Sequence, residues 1–213
     1  MNKLITFEGV DGCGKSTQLK RAAEYLRGRG EDVVTTFEPG DTALGKEIRK
    51  LLLAGVYVPV PETELLLFLA DRAQHVKEVI QPALASDRWV LCDRYSDSTL
   101  AYQLAARQLD EGAAPLREML SFAECGVRPG LTLWFDVSVQ EAMRRMKKRA
   151  EAGEKATRLD EEVISFHERV SAAFEQQYAL DTKRICCVDA AQGIDDVGDQ
   201  VRLIIESKYG WAL

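Results

Sequence analysis

The residues with the clearest chemical potential lie near the start of the chain. The pattern G-x-x-x-x-G-K-[ST] is matched by Gly9-Val10-Asp11-Gly12-Cys13-Gly14-Lys15-Ser16, with Thr17 next. An apolar run precedes this loop and an amphipathic stretch follows it, which is the strand–loop–helix setting that the motif requires. Its backbone N–H groups can surround phosphates, Lys15 can bridge the β- and γ-phosphates, and Ser16 can ligate Mg²⁺. A glycine-rich helix cap is the alternative, but the agreement of all three elements favours a site for a nucleoside triphosphate.

Five short apolar runs have the length and composition of strands that are buried on both faces. Longer stretches with helical periodicity separate them, and this alternation predicts right-handed crossovers. We therefore expect an α/β fold, a doubly wound parallel five-stranded sheet with helices on both faces, with ligands beyond the carboxyl ends of the strands. The predicted strands are Leu4–Phe7, Val33–Phe37, Trp89–Cys92, Leu131–Phe135 and Ile185–Val188. The predicted helices are Lys15–Arg29, Ala43–Leu53, Glu62–Leu84, Ser98–Arg107, Ala113–Cys125, Val139–Ala152, Asp160–Tyr178 and Ile194–Ser207.

The composition of the chain is typical of a globular domain and argues against several classes of partner. The 213 residues have a net charge of −6 and are 46% hydrophobic, which predicts one globular domain over residues 1–213. An acidic chain has no overall attraction for nucleic acid or for an anionic membrane, so we expect neither as a partner. We also expect no transmembrane segment and no leader peptide. The five cysteines have no zinc-type spacing, and we expect reduced thiols in a cytoplasmic protein.

A second group of polar residues follows the predicted strands. Glu38 comes after the second strand, and Asp93 and Arg94 come after the third. Because the carboxyl ends of parallel strands meet at one edge of the sheet, we expect these residues near the phosphate-binding loop. The chain has no Asn-Lys-x-Asp element for reading guanine, which argues against a GTPase.

Taken in order, these motifs resemble those of bacterial thymidylate kinases, over nearly the whole chain. Only the phosphate-binding loop is specific by itself, whereas the complete set at these spacings is very specific. The resemblance implies transfer of the γ-phosphoryl group of ATP to dTMP, with Mg²⁺ as cofactor and a homodimer as the assembly. The matching motifs are Gly9–Thr17, Glu38-Pro39-Gly40, Asp93-Arg94-Tyr95, Ser98-Thr99, Ala101-Tyr102-Gln103, and Arg158 ahead of Phe166-His167-Glu168-Arg169-Val170.

The resemblance also implies which residues bind the acceptor nucleotide. Phe68 would stack on thymine, while Arg72 and Gln103 would read the edge of the base. Arg94 would grip the 5′-phosphate, because a planar guanidinium suits bidentate phosphate contacts. Core packing is the alternative for Phe68 taken alone. The implied substrate-binding set is Asp11, Glu38, Phe68, Arg72, Arg94, Ser98, Thr99, Tyr102 and Gln103.

Further roles follow from the same resemblance. Tyr102 would crowd the 2′ position of the sugar and favour deoxyribose, and Asp11 would face the sugar. Asp93 would support Mg²⁺ through water, next to the direct ligand Ser16. The implied catalytic residues are Lys15, Asp93, Arg94 and Arg158, and the ATP-binding residues are Gly9, Val10, Asp11, Gly12, Cys13, Gly14, Lys15, Ser16 and Thr17.

A basic segment at about 144–160 is expected to form a mobile lid over the triphosphate. Residues 144–158 contain seven basic side chains and two glutamates, a local net charge of +5. A solvated helix face is the alternative for such a run. Phosphoryl transfer spreads negative charge over the transferred group, which a mobile arginine can compensate. The resemblance assigns this role to Arg158, with Arg149 as the second candidate.

The chain departs from the family pattern at a few positions. Phe37 stands where the family commonly has arginine before Glu-Pro-Gly-Gly, and Asp41 replaces the second glycine. The usual contribution of that arginine is therefore missing or supplied from elsewhere. Leu104-Ala105-Ala106 replaces a glycine run, which predicts a more helical loop, and Thr157 replaces the usual aspartate before the lid arginine.

Two alternative functions stay open at this point. One is another pyrimidine or deoxynucleotide kinase of the same fold, acting for example on dUMP or on a nucleoside. The other is a P-loop switch or regulatory ATPase, which would hydrolyse ATP without a nucleotide acceptor. Such a protein would have no use for Phe68, Arg72 and Gln103.

Overall fold

The computed structural model describes residues 2–109, 116–153 and 155–211 of the chain. Five strands in these ranges are β1 (Leu4–Glu8), β2 (Val33–Phe37), β3 (Trp89–Asp93), β4 (Leu131–Asp136) and β5 (Ile185–Asp189). They form one parallel sheet in the order β2-β3-β1-β4-β5. From β1 the chain runs to one edge of the sheet and then crosses to the other, so β1 lies at the centre. The predicted α/β fold is confirmed, and the strand bounds agree to within one residue.

The central strand contributes to two apolar layers, as the two-residue period of a strand requires. Leu4 packs with Val76 and Ile80 in one cluster. Phe7 belongs to a second and larger cluster that contains Leu19. Both layers are removed from water, which explains why the strands read as continuous apolar runs rather than as alternating ones.

The helical segments that connect and cover the strands agree with most of the predicted positions. The α-helices are α1 (Lys15–Gly28), α2 (Ala43–Leu53), α3 (Pro61–His75), α4 (Gln81–Ala85), α5 (Ser96–Thr99), α6 (Leu116–Ala123), α7 (Val139–Glu151), α8 (Ile164–Leu180) and α9 (Ile194–Tyr209). Two π-helical segments span Val76–Ile80 and Leu100–Ala106. Residues 113–115 of the predicted Ala113–Cys125 helix lie outside the described residues.

The predicted helix Glu62–Leu84 is interrupted by a π-helical turn at Val76–Ile80. Pro82 follows directly, has no N–H to donate, and in a regular α-helix its ring would collide with the carbonyl four residues earlier. The wider π turn relieves this conflict. The second π segment carries Tyr102 and Gln103, and π turns often occur at functional sites.

The predicted start of a helix at Asp160 is wrong, because α8 begins at Ile164. Asp160 instead closes a turn with Thr157, which donates to the Asp160 carboxylate through its backbone N–H (2.7 Å) and its hydroxyl (2.8 Å). Asp160 N–H donates back to the Thr157 hydroxyl at 3.3 Å. Short polar side chains that bond nearby backbone in this way compete with helix formation.

No helix among the described residues is both long and apolar enough to cross a membrane. All five cysteines are free thiols.

Candidate active site

A cleft of about 1000 Å³ opens beyond the carboxyl ends of β1, β2 and β3. This is the position that a doubly wound parallel sheet offers to ligands. Four predicted site residues, Gly9, Val10, Cys13 and Arg158, are not among its lining residues. The predicted residues that do line it are Asp11, Gly12, Gly14, Lys15, Ser16, Thr17, Glu38, Phe68, Arg72, Asp93, Arg94, Ser98, Thr99, Tyr102 and Gln103.

The glycines of the loop after β1 are required by its backbone. Gly9, Gly12 and Gly14 have φ angles of +139°, +84° and +101°, in the region that disfavours other residues. A Cβ on Gly12 would lie 2.3 Å from the carbonyl oxygen of Ala142 in α7, and one on Gly9 would lie 2.7 Å from that of Phe135. The loop therefore packs closely against β4 at Gly9 and against α7 at Gly12, and it leads into the N-terminus of α1.

The ammonium group of Lys15 is folded back onto this loop. Its Nζ donates to the carbonyl oxygens of Gly9 (3.0 Å) and Val10 (2.9 Å) and lies 3.6 Å from Cys13 Sγ. Lys15 has only 6% of its surface exposed, but it lines the cleft. A bound phosphate would replace these contacts with charge-assisted hydrogen bonds.

Ser16 and Asp93 bring two oxygen ligands together at the cleft. The Ser16 hydroxyl donates to Asp93 Oδ2 at 2.5 Å, which joins the first residues of α1 to the end of β3. A hydroxyl beside a carboxylate is a donor set that suits Mg²⁺, a hard cation that prefers oxygen. These two residues therefore fit the metal that the phosphate-binding loop implies.

Arg94 connects β3 to the loop after β1. Its backbone has φ +72°, a costly conformation for a residue with a Cβ. One guanidinium nitrogen, Nη1, donates to Gly9 O (3.1 Å) and to Ser98 Oγ (2.9 Å). The other, Nη2, donates to Asp11 Oδ1 (2.7 Å) and to the Tyr102 hydroxyl (3.0 Å). Four of its five N–H donors are thus fixed at the floor of the cleft.

The charges of this group are stable against changes in pH. Burial raises the pKa of Asp11, but the nearby Arg94 and Lys15 outweigh it and hold the pKa below its usual range. Burial lowers the pKa of Arg94, but Asp11 outweighs it, so the pKa lies well above its ordinary value. Burial also raises the pKa of Tyr102 well above its ordinary value, so its hydroxyl stays a donor.

Arg72 is held from behind by Glu38. Its Nε and Nη2 both contact Glu38 Oε2 at 2.8 Å, and its Nη1 donates to Thr99 Oγ1 at 2.7 Å. His75 Nδ1 lies 2.8 Å from the other oxygen of Glu38. Glu38, His75 and Cys92 place three potential metal-binding atoms within 4.8 Å of one another, but the guanidinium of Arg72 already neutralises this carboxylate. We therefore interpret Glu38, with its neighbours in this cluster, as a support for the Arg72 side chain rather than as a metal site.

Phe68 and Gln103 line the cleft together with Arg72. Gln103 Nε2 donates to Glu64 Oε1 at 3.0 Å. Arg107 donates to both oxygens of Glu64 at 3.1 Å, and Arg158 Nη2 donates to Oε2. Burial raises the pKa of Glu64, but hydrogen bonds from Arg107, Gln103 and Arg158 outweigh it, so the pKa is lowered.

The structure places Arg158 beside α2 and α3 rather than on the cleft. Besides Glu64, its side chain donates to the carbonyl oxygen of Leu52 at 3.1 Å, and its backbone N–H donates to that of Leu53 at 3.3 Å. Its side chain is 11% exposed. The basic side chains of this region that do line the cleft are Arg145, Lys148, Arg149 and Lys155.

Arg49, which the sequence analysis did not single out, lies where an arginine was expected at position 37. Its guanidinium lies 5.6 Å from the ring centre of Phe37, and its Nη1 donates to Pro39 O at 2.7 Å. It lines the cleft, and so does Asp41, whose carboxylate accepts from Thr36 Oγ1 at 2.5 Å. α2 therefore places a cation beside Phe37 at the cleft. A signal existed, because Arg49 shares the buried stripe of α2 that contains Gly45, Ile48 and Leu52.

Glu8, also missed, supports Arg94 from inside the protein. It ends β1, is fully buried, and accepts from Tyr95 N (2.7 Å), Ser98 N (3.3 Å) and Ser98 Oγ (2.5 Å). Burial, helped by the charge of Asp97, raises its pKa to about 7. A signal for Glu8 was available in the sequence, because a charged residue directly follows the buried apolar run Leu4–Phe7.

Comparison with known proteins agrees with this geometry. A family model described as thymidylate kinase matches residues 7–201. The chain belongs to the thymidylate kinase family. It is 47% identical over 201 residues to a thymidylate kinase of Thermomicrobium roseum, covering 94% of this chain and 93% of that protein. It is also 43% identical over 208 residues to a thymidylate kinase of Carboxydothermus hydrogenoformans, covering 98% of each, and 42% identical over 205 residues to that of Syntrophus aciditrophicus, covering 94% and 93%. The resemblance to thymidylate kinases drawn from the motifs is confirmed.

The raised pKa of Glu8 predicts a pH dependence for this thymidylate kinase. A buried carboxyl with a raised pKa stabilises the fold when protonated, and this contribution is lost as pH rises from about 4.5 to about 7. Glu8→Gln resembles the protonated form, so the variant should gain unfolding free energy over the native protein as pH rises through this window. Urea unfolding of both proteins at pH 4.5, 6 and 8 measures the difference. A difference that stays constant across the three pH values would contradict the assignment.

Proposed function

We propose that this protein transfers the γ-phosphoryl group of ATP to dTMP, giving dTDP and ADP. Membership of the thymidylate kinase family supports the reaction. The observation that carries it is the presence of two recognition groups in one cleft. Residues of the phosphate-binding loop line this cleft, and so do Phe68, Arg72 and Gln103. A protein that only hydrolyses ATP would have no use for the second group.

On the donor side, the loop Gly9–Thr17 would hold the triphosphate through its backbone N–H groups and Lys15. Ser16 and Asp93 would hold Mg²⁺, which neutralises charge on the phosphates when bound. The 2.5 Å contact between their oxygens supports this pairing.

On the acceptor side, Arg94 would bind the 5′-phosphate of dTMP at the floor of the cleft. Arg72 retains two N–H donors that its contacts with Glu38 and Thr99 do not use, and these would serve O4 of thymine. Phe68 would stack on the base, and Tyr102 with Asp11 would face the sugar. Ser98 would support Arg94, because its hydroxyl oxygen already accepts a hydrogen bond from Arg94 Nη1.

The reaction needs no general base. The attacking atom is a phosphate oxygen, which is already anionic at neutral pH. Catalysis then consists of holding donor and acceptor in line and neutralising the charge that develops on the transferred group. Lys15 and Arg94 would provide cations from the floor of the cleft.

The segment at about 144–160 would close over the triphosphate as a lid in a single-domain enzyme. Two arginines of this segment are candidates for the catalytic cation. Arg158 was the first from the sequence, but its ion pair with Glu64 and its hydrogen bond to Leu52 favour an anchoring role. Arg149 lies on the cleft, which favours it as the catalytic arginine.

We also propose that the enzyme works as a homodimer in the cytoplasm. An apolar groove of about 530 Å³ runs between α3 and α6 and is lined by Leu66, Leu69, Ala70, Ala73, Glu118, Met119, Phe122 and Ala123. Phe122 is 83% exposed and Leu66 is 54% exposed. A contiguous exposed apolar patch of this kind is typical of an interface.

The reaction is tested by Mg²⁺- and ATP-dependent release of ADP with a panel of acceptors. We expect strong turnover with dTMP, weaker turnover with dUMP, and little with dCMP, UMP, CMP, AMP and dGMP. Lys15→Ala should lower kcat by about 100- to 1000-fold, because the variant loses a cation at the developing charge. Preferred turnover of another monophosphate would show that the acceptor is not dTMP. ATP loss that is independent of any acceptor would instead favour a regulatory ATPase.

The two arginines of the basic segment are separated by comparing Arg149→Ala with Arg158→Ala. We expect Arg149→Ala to lower kcat by about 100-fold or more with little change in Tm, since it removes transition-state charge compensation. Arg158→Ala should lower Tm more than kcat, because it removes one of the two guanidinium groups that pair with the buried Glu64. The reverse pattern would return the catalytic role to Arg158.

The dimer is tested by sedimentation of Phe122→Lys. A charge in the groove should shift the equilibrium toward the monomer, because an unpaired ammonium is costly to bury. Leu203→Lys serves as the matched control, since Leu203 is also exposed (55%) but lies on α9 outside the groove. A native protein that sediments as a monomer at all concentrations would exclude the dimer.

A further inference from the structure

We propose that Glu64 is a positioning residue that fixes the side-chain amide of Gln103 so that the cleft accepts thymine and rejects cytosine. The inference rests on the proposed function, because it concerns how the same cleft selects its acceptor. It is carried by a network of buried hydrogen bonds around one carboxylate.

The first step is the direction of the Gln103 amide. An ionised carboxylate only accepts hydrogen bonds, so the group that faces Glu64 must be the NH₂ of Gln103. The contact from Gln103 Nε2 to Glu64 Oε1 is 3.0 Å, and both residues are at most 2% exposed. Gln103 Oε1 accepts no hydrogen bond from any described residue and belongs to a side chain that lines the cleft. The amide therefore offers an acceptor to a bound base.

The second step is the ionisation of Glu64, which this direction requires. Arg107 contacts both of its oxygens and Arg158 contacts Oε2, so two cations surround the carboxylate. A buried carboxylate between two guanidinium groups stays charged, because protonation would break a hydrogen-bonded pair. Gln103 is thus prevented from reversing its amide.

The third step compares this polarity with the bases. Thymine offers a donor at N3 and an acceptor at O4, which match Gln103 Oε1 and the N–H groups of Arg72. Cytosine offers an acceptor at N3 and an amino group at C4. Its N3 would face Gln103 Oε1, which is also an acceptor, and its amino group would face the N–H groups of Arg72, which are also donors. Buried polar groups left unpaired in this way lower affinity strongly, which makes the network a determinant of specificity.

The decisive variant is Glu64→Gln. Two arginine N–H groups point at the Oε2 position, whereas only one, from Arg107 Nε, points at the Oε1 position. The new amide will therefore keep its oxygen at the Oε2 position and place its NH₂ at the Oε1 position, facing Gln103. Gln103 must then turn its oxygen toward residue 64 and its NH₂ toward the cleft. We expect the ratio of kcat/KM for dTMP to that for dCMP to fall about 10-fold or more, mostly through a higher KM for dTMP with kcat nearly unchanged.

Glu162→Gln is the matched control. Glu162 pairs with the same two arginines, at 2.6 Å from Arg107 and 3.8 Å from Arg158, but it makes no contact with Gln103. The control removes one negative charge beside the same two arginines, so it should leave the dTMP to dCMP ratio within about twofold of the native value. A merely structural role of Glu64 would instead lower kcat/KM for both acceptors equally.

Glu64→Asp covers the case in which Glu64→Gln fails to fold. It keeps the charge between the arginines but withdraws the carboxylate from Gln103, so the ratio should again fall, by a smaller factor. An unchanged ratio in the folded variants would overturn the inference while leaving the proposed function intact. A native enzyme that does not prefer dTMP would overturn the proposed function itself, and this is measured first.

Discussion

The ion pair between Arg94 and Asp11 joins the loop after β1 to the end of β3, and most of the cleft is arranged around it. A guanidinium without water is costly unless each face finds a partner, and here Gly9, Ser98 and Tyr102 complete the shell. The left-handed backbone of Arg94 is the cost of turning this side chain back over the sheet. The Arg94 guanidinium is therefore already oriented at the cleft, as the proposed binding of an acceptor phosphate requires.

The same physical rule governs Arg72 and Gln103, the residues proposed to contact the base. Glu38 holds Arg72, and Glu64 holds Gln103, so each cleft-lining group is fixed by a buried carboxylate behind it. This arrangement also explains how an acidic chain can bind anionic substrates. Nine basic side chains line the cleft against five carboxylates, so the cleft is locally positive although the chain carries a net negative charge.

Much of this architecture was predictable from local patterns. Strand bounds agreed to within one residue, because buried parallel strands read as short apolar runs between helical stretches. The phosphate-binding loop was predictable because Gly9, Gly12 and Gly14 are demanded by the backbone itself. The placement of Phe68 and Arg72 on one cleft followed from the resemblance to thymidylate kinases, and helix periodicity added only that the two residues share a helix face.

The rest depended on contacts between residues that are distant in sequence. Glu8 supports Ser98 across 90 positions, and Glu64 meets Arg158 across 94, so no local pattern could reveal either pair. Arg49 lies on the buried stripe of α2, which was visible in the sequence, but its position beside Phe37 depends on the packing of α2. Sequence reasoning thus found most of the predicted cleft-lining residues and Glu38, which holds Arg72, but it missed Arg49 and the supporting carboxylates Glu8 and Glu64.

The substitution of Thr157 for an aspartate, unexplained from sequence, acquires a physical role in the turn it forms. Its hydroxyl and backbone N–H both bind Asp160, which stops α8 from extending back toward the basic segment. The next residue, Arg158, is tied to Leu52 and Glu64. The carboxyl-terminal boundary of the basic segment is therefore fixed to α2 and α3, and any closure over the triphosphate has to come from the part that precedes position 157. That part includes Arg149, which already lines the cleft.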